Sequence, residues 1–373
     1  MNMSESEPDN GRGDRTSSDE ENESGGLPEN FPPVEVCLER CRKFVELTNT
    51  NEALAQFFLQ DRDWDLERSV ADYFQENEER NAPSSSSSAV KSEMPPKRAS
   101  GDVVELSSDS DTEEESDDLL KIVSWNIDGL DQKNRDLRTK NVCATVKKAA
   151  ADIVMLQEVV PETLRLIDET LSKEYHLVHS GVAEYFTAML FHRKRVSFVQ
   201  DKVFEFSNSV MGRKLQAAEV SFKNAHKLFI LNTHLESTGE FSDARRVQLQ
   251  KCFRNLNKIS DGYSAVLAGD LNLRDKELDG IGGIPAGICD MWERLGSRPE
   301  AKYTWDMTRN DNLLWNARFK PRCRFDRMYF KESLAQPRAL KPVYFGLIGL
   351  ERILPHRCFP SDHWGLYAHF KLQ

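Results

Sequence analysis

Between Leu119 and Gln373 one pattern recurs: an apolar run of strand length that stops abruptly on polar side chains. The runs are KIVSWNI, DIVMLQEV, FTAMLFH, KLFILNTHL, YSAVLAGDLNL and WGLYAHFKL. Their β-branched and aromatic content reads as strand. Helical periodicity fills gaps between them, as in residues 139–150 and 243–260. Strands alternating with helices define an α/β fold, and short turns between several strand pairs favour antiparallel neighbours. Residues 119–373 are therefore expected to form two mixed β-sheets packed on each other, with helices outside.

The polar ends of the runs are the unusual part. KIVSWN ends on Asn126, with Asp128 just beyond; DIVMLQEV ends on Gln157 and Glu158. LFILNTHLES passes through Asn232 and His234 to Ser237, and AVLAGDLNLRD through Asp270 and Asn272 to Arg274. Ser361, Asp362 and His363 precede the last strand. Any one of these is an ordinary turn or helix cap. Together they repeat residue types whose burial is costly unless something binds them. Strand ends on one edge of a sheet can converge on a ligand. Carboxylates and carboxamides without Cys favour a hard, oxygen-loving cation, Mg²⁺ before zinc. Histidines beside Asn suit the charge that builds up in phosphoryl chemistry.

The front of the chain differs. Residues 1–118 hold 11 Lys+Arg against 31 Asp+Glu, whereas residues 119–373 hold 39 against 30. An acidic tail on a mildly basic domain suits an anionic partner, whether nucleic acid, anionic lipid or a phosphorylated small molecule. Seven cysteines without CxxC spacing point to reduced thiols in nucleus or cytosol. No apolar run reaches the length of a membrane span and the N-terminus does not read as a signal peptide, so no membrane association is expected.

Residues 1–33 have almost nothing to bury and read as a disordered acidic tail. Residues 34–76 carry three groups at helical spacing: Val34, Leu38, Cys41, Phe44, Val45 and Leu47; Ala53, Leu54, Phe57 and Phe58 behind Asn51; and Leu66, Val70, Tyr73 and Phe74 behind Asp65. The stretch TNTNEALAQFFLQDRDWDLERSVADYF resembles a ubiquitin-associated (UBA-like) three-helix bundle, which implies ubiquitin or ubiquitinated proteins as partners. Residues 77–118 form an expected disordered linker. Within it Val103, Val104 and Leu106, followed by serines and acids, look like a SUMO-interacting motif that adds a strand to a sheet edge. The basic PPKR is compatible with nuclear import. The expected location is the nucleus, with the cytoplasm as the alternative.

SWNIDGLD, LQEV, THLES, GDLNLRD, RFDRMYF and SDHWGL, in this order, resemble the exonuclease–endonuclease–phosphatase superfamily. The resemblance implies a DNase I-like four-layer sandwich over residues 119–373. Within the superfamily these motifs, with the UBA-like front, look most like the branch that removes tyrosyl adducts from DNA 5′ ends. One departure is Leu271, where that branch often has Thr and abasic-site endonucleases have Leu. The resemblance implies Glu158 as direct metal ligand for Mg²⁺, with Mn²⁺ as a substitute. It places Asn126 near metal and phosphate, and Asp128 and Asp362 near the metal shell. Asp270 would orient and deprotonate water, Asn272 hold it, His234 and His363 bind phosphate oxygens, and Asp326 hold the His363 ring.

For the DNA, Trp305 and Phe325 are expected to stack on bases or wall a channel. Arg274 and Arg213 are candidates for phosphate, with Tyr185, Ser237 and Leu313 as further contacts. Three functions remain: a phosphodiesterase acting on tyrosyl-linked DNA ends, an abasic-site endonuclease or other nuclease, and a ubiquitin- and SUMO-binding adaptor with an inactive hydrolase domain.

Overall fold

The computed structural model describes residues 32–48, 55, 58, 59, 62, 64–81, 118–313 and 320–373. Val103, Val104 and Leu106 lie outside them, as does most of the expected second helix.

Helices α1 (Val34–Thr48) and α2 (Leu66–Asn81) share a small aromatic core, with Phe44, Phe58 and Tyr73 rings 5.5–5.7 Å apart. Asp65 caps α2 by accepting the Arg68 N–H at 3.0 Å. The buried stripe of α1 runs through Cys37, Cys41 and Phe44, so Leu38 and Leu47, read from sequence as part of it, lie off it and are exposed. Helix α2 continues through Asn81, beyond the expected start of the linker.

Two six-stranded sheets follow. The first has the order β13 (Leu340–Ile348), β14 (Gly365–Leu372), β1 (Leu119–Asn126), β2 (Ile153–Val159), β4 (Phe186–His192), β3 (Tyr175–His179). The second is β5 (Val196–Glu205), β6 (Lys214–Phe222), β7 (His226–His234), β8 (Ser264–Asp270), β12 (Asp326–Lys331), β9 (Ile288–Asp290). A short ribbon pairs β10 (Trp305–Asp306) with β11 (Arg322–Cys323).

Leu120, Ile122, Met155 and Met189 from the first sheet meet Ile230, Val266 and Met328 from the second in one core. The opposite face of the first sheet, with Val123 and Trp125, packs on α3 (Arg135–Lys148) and α4 (Pro161–Leu171). The second sheet's outer face, with Leu231 and Leu267, packs on α5 (Ser242–Lys258). Strands covered on both faces lose polar alternation, which is why β1, β2 and β8 read as continuous apolar runs. The architecture is helix, sheet, sheet, helix. Among the described residues no helix is long and apolar enough to cross a membrane.

Strand direction decides where the polar ends go. β1 and β2 run parallel, as do β7 and β8, so their C-terminal ends coincide: Asn126 is opposite Gln157 and His234 opposite Asp270. β14 and β12 run antiparallel to β1 and β8, which brings their N-terminal ends to the same edge. Gly269 allows the closest approach at that edge. Its φ is 149°, and a Cβ there would sit 1.8 Å from the Thr233 carbonyl oxygen. Gly269→Ala must push β7 and β8 apart, so a loss of about 3 kcal/mol is expected, read as a lower urea midpoint at unchanged m-value.

Candidate active site and metal centre

Asn126 ties the two sheets together at this edge. Its amide donates to Glu158 Oε1 at 3.0 Å and to Asp270 Oδ2 at 2.9 Å, while its oxygen accepts the Asp128 N–H. Glu158, His234 and Asp270 each offer a donor atom within 4.8 Å of the others, as do Asp270, Asp326 and His363. Burial, then the neighbouring Asp362 carboxylate, push Glu158 up to about 7. Burial and the Asp362 charge likewise push Asp128 up to about 8, against the pull of Arg138 3.1 Å away. Two carboxylates pushed up by burial and by the charge of a neighbouring acid are the environment a hard divalent cation neutralises, and the oxygen-rich donor set fits one.

The two histidines are held in opposite states. Burial and Arg213 hold His234 well below its ordinary pKa. Arg213 Nη1 stands 2.7 Å from His234 Nδ1, and because a guanidinium only donates, Nδ1 must be bare and the proton on Nε2. Nε2 lies 3.1 Å from the Asn272 amide nitrogen and 3.4 Å from Asp270 Oδ2, and of the two only the carboxylate can accept that proton. The Asn272 amide, itself a donor, is held by Leu235 O and Ser237 Oγ, both at 3.3 Å. At His363, burial is outweighed by Asp326, Asp362 and Asp270, which raise the ring well above its ordinary pKa. Asp326 Oδ2 meets its Nδ1 at 2.8 Å, leaving Nε2–H facing Asp270 at 3.8 Å. For Asp270, burial pulls upward, but His363 leads a set of interactions that hold the carboxylate below its usual range.

The other expected residues sort into two walls. Trp305, Phe325 and Arg274 gather near His363: the two rings are 5.7 Å apart, Arg274 stacks on Phe325 at 5.6 Å, and Phe325 is 6.5 Å from the His363 ring. The Trp305 indole N–H donates to Asp362 at 3.1 Å. Arg213, Tyr185 and Ser237 gather near His234. Arg213, a candidate for phosphate, is buried, donates to Ser237 at 2.7 Å and stacks on Tyr185 at 4.8 Å. Leu313 is exposed at the end of a described segment. Leu271, the sequence departure, is buried in the core that the second sheet forms with α5.

Of the residues that support the site from behind, Arg138 and Arg245 carried no sequence signal, whereas Ser361 opens the SDHWGL motif. Arg138 is buried beneath Asp128 and donates to the backbone of Ile127, Asp128 and Asp131, which shapes the turn after β1. Ser361 donates to Asn126 O at 2.6 Å and joins the entry to β14 to the end of β1. On α5, Arg245 pairs with Glu277 and donates to Glu236 O and Thr238 O, both at 2.7 Å. Only their distant partners distinguish Arg138 and Arg245 from ordinary surface arginines.

The sequence profile of the Endonuclease/Exonuclease/phosphatase family matches residues 123–363, and that of a UBA-like domain matches residues 39–80. The chain belongs to the endonuclease/exonuclease/phosphatase family. It is 32% identical over 371 residues to tyrosyl-DNA phosphodiesterase 2 of Xenopus laevis, covering 94% of this chain and 98% of that protein. The crystal structure of Danio rerio TDP2 complexed with single strand DNA product aligns with a TM-score of 0.65 at 34% identity, over 68% of this chain and 100% of that one. That of SeMet TDP2 from Caenorhabditis elegans aligns with a TM-score of 0.62 at 33% identity, over 97% and 100%. Within the family the chain groups with the tyrosyl-DNA phosphodiesterase 2 proteins and is a phosphoric diester hydrolase.

Proposed function

We propose that the chain is a Mg²⁺-dependent phosphodiesterase that hydrolyses the bond between tyrosine and a DNA 5′-phosphate. The observation that carries this reading is the cluster at one sandwich end: acids suited to a cation, a separate carboxylate held ionised, and two histidines in opposite protonation states. Glu158 would hold the cation, with Asn126 beside it and Asp128 and Asp362 in the surrounding acidic shell; Mn²⁺ would substitute. Mg²⁺ bound there supplies positive charge to the phosphate.

The protein residues supply the rest. Asp270, steadied by the Asn126 amide and the Asn272 backbone N–H, orients a water for in-line attack on phosphorus. Its depressed pKa makes it a weak base, so it takes the proton only as the forming O–P bond acidifies the water. The His363 imidazolium and the neutral His234 Nε2–H donate to the non-bridging oxygens, where charge develops. The P–O bond to tyrosine breaks as the water oxygen bonds to phosphorus. A phenol with pKa ~10 leaves readily, so no dedicated strong acid is required. The products are a 5′-phosphate end and tyrosine, or a peptide carrying it.

Trp305, Phe325 and Arg274 would wall the path of the DNA on the His363 side, with Leu313 beyond. Tyr185, Arg213 and Ser237 would border it on the His234 side. The UBA-like domain would bind ubiquitin and the 103–106 segment SUMO, directing the enzyme to modified protein adducts in the nucleus.

The deciding experiment gives the full chain three substrates in Mg²⁺: a 5′-phosphotyrosyl oligonucleotide, a duplex with an abasic site, and an inositol polyphosphate. The tyrosyl substrate is expected to turn over fastest, leave a 5′-phosphate, and stop in EDTA. Faster incision of the abasic duplex would instead make the chain an abasic-site endonuclease. Glu158→Gln is expected to raise the Mg²⁺ concentration needed for half-maximal rate, with excess metal restoring part of the turnover.

A further inference from the structure

The Glu of the HLES motif takes no part in the chemistry derived above, yet Glu236 is fully buried and its carboxylate is saturated with donors. Oε1 accepts the Val210 and Met211 N–H groups at 2.8 and 2.9 Å; Oε2 accepts Ser209 Oγ at 2.9 Å and Gln248 Nε2 at 2.8 Å. Three of these four donors lie on the turn between β5 and β6. The turn is also held by Ser209 N–H to Phe206 O at 3.0 Å, the Asn208 amide to Ala244 O at 3.1 Å and the Tyr185 hydroxyl to Met211 O at 3.3 Å. Among the described residues, only Glu236 binds residues 209, 210 and 211 together. The same turn carries Arg213, whose own N–H donates to Ser209 Oγ at 2.7 Å. One hydroxyl therefore joins the Glu236 carboxylate to the Arg213 backbone, and the Arg213 guanidinium in turn reaches His234 Nδ1.

We propose that Glu236 is a positioning residue for His234: it pins the 209–211 turn so that Arg213 occupies Nδ1 and aims the Nε2 proton into the site. The proposal rests on the hydrolase reading only for its kinetic consequence. A carboxylate suits this place because it only accepts, and every neighbour within reach donates. Glutamine would put an amide N–H against a donor on one side and loosen the turn.

The test is a double-mutant cycle on the full chain, using a nitrophenyl ester of thymidine 5′-phosphate as probe. Glu236→Gln is expected to lower kcat on the order of tenfold to a hundredfold, the range a small misplacement of a reacting group produces, with KM nearly unchanged. In an Arg213→Met background the same change should cost about twofold or less, because the residue it acts through is gone. A second readout needs no turnover. The ¹⁵N shift of His234 Nδ1 should be that of a bare ring nitrogen in the parent and move toward the tautomer average in Glu236→Gln. An equal kcat loss in both backgrounds, or an unmoved ring shift, overturns the proposal. If Glu236→Gln does not fold, Ser209→Ala takes its place, with a smaller loss that must also vanish in Arg213→Met; a loss independent of Arg213 overturns it. A parent that does not cleave the ester counts against the hydrolase reading, and the ring shift then decides the positioning role alone.

Discussion

Asp270→Asn is expected to lower turnover of a 5′-tyrosyl oligonucleotide by roughly 10²–10⁴-fold, and excess Mg²⁺ should not restore it. The substitution keeps the volume of a side chain that is 2% exposed and bonded to Asn126, so the fold should persist. What disappears is the acceptor for the water proton and the negative charge that both histidines face. The new amide also sets an N–H against the Asn126 amide or the Asn272 N–H, both donors. Single-turnover rates across a Mg²⁺ titration check this. Near-parental turnover, or recovery at high Mg²⁺, would mean that another group activates the water.

Asp326→Asn has the next largest expected effect, also in the range of roughly 10²–10⁴-fold, by analogy with removing the carboxylate that orients a catalytic histidine. Its signature is in the pH profile. Asp326 is the leading influence that raises His363 above its ordinary pKa, against burial. Rate that needs the imidazolium is present at low pH and lost as pH rises through the raised pKa. Without the Asp326 charge that pKa falls, so the alkaline limb of kcat/KM should move to lower pH. The same shift enters stability: the raised pKa of His363 contributes stability that is fully present below the ordinary histidine pKa of about 6.5 and is lost as pH rises through the raised value. Asp326, itself pushed up by burial, adds a loss of the same sign at lower pH. An alkaline limb unmoved in Asp326→Asn would show that His363 does not govern it.

Much of this was legible before any tertiary information. Apolar runs buried on both faces stand out, so β1, β2, β4, β7 and β14 appear in the sequence within one or two residues of their ends, and β8 with a run that continues three residues past its end at Asp270. Other strands did not stand out: β12 is buried but opens on the charged Asp326 and Arg327, and at β5 the surroundings break the pattern. β5 is an edge strand with mostly exposed side chains and a bulge between Phe198 and Gln200, so neither a continuous run nor clean alternation marks it. Leu38 and Leu47 failed differently: helical spacing tells which residues share a face, not which face finds a partner.

The chemistry divides along the same line. Asn126, Glu158, His234, Asp270, Asp326 and His363 are legible because a polar side chain ending an apolar strand violates the local rule and needs a reason. Sequence order fixes their identity and their place at strand ends. It does not fix which ends meet, because that depends on parallel or antiparallel pairing between strands as much as 238 positions apart, the separation bridged by the Trp125 indole and the His363 carbonyl. Protonation is decided later still. His234 and His363 look alike in sequence; one is held neutral by a buried arginine and the other charged by a buried aspartate, through Nδ1 contacts that exist only once the sheets have packed. Local periodicity is written residue by residue, but the electrostatic state of a buried side chain is a property of the neighbours that folding brings to it.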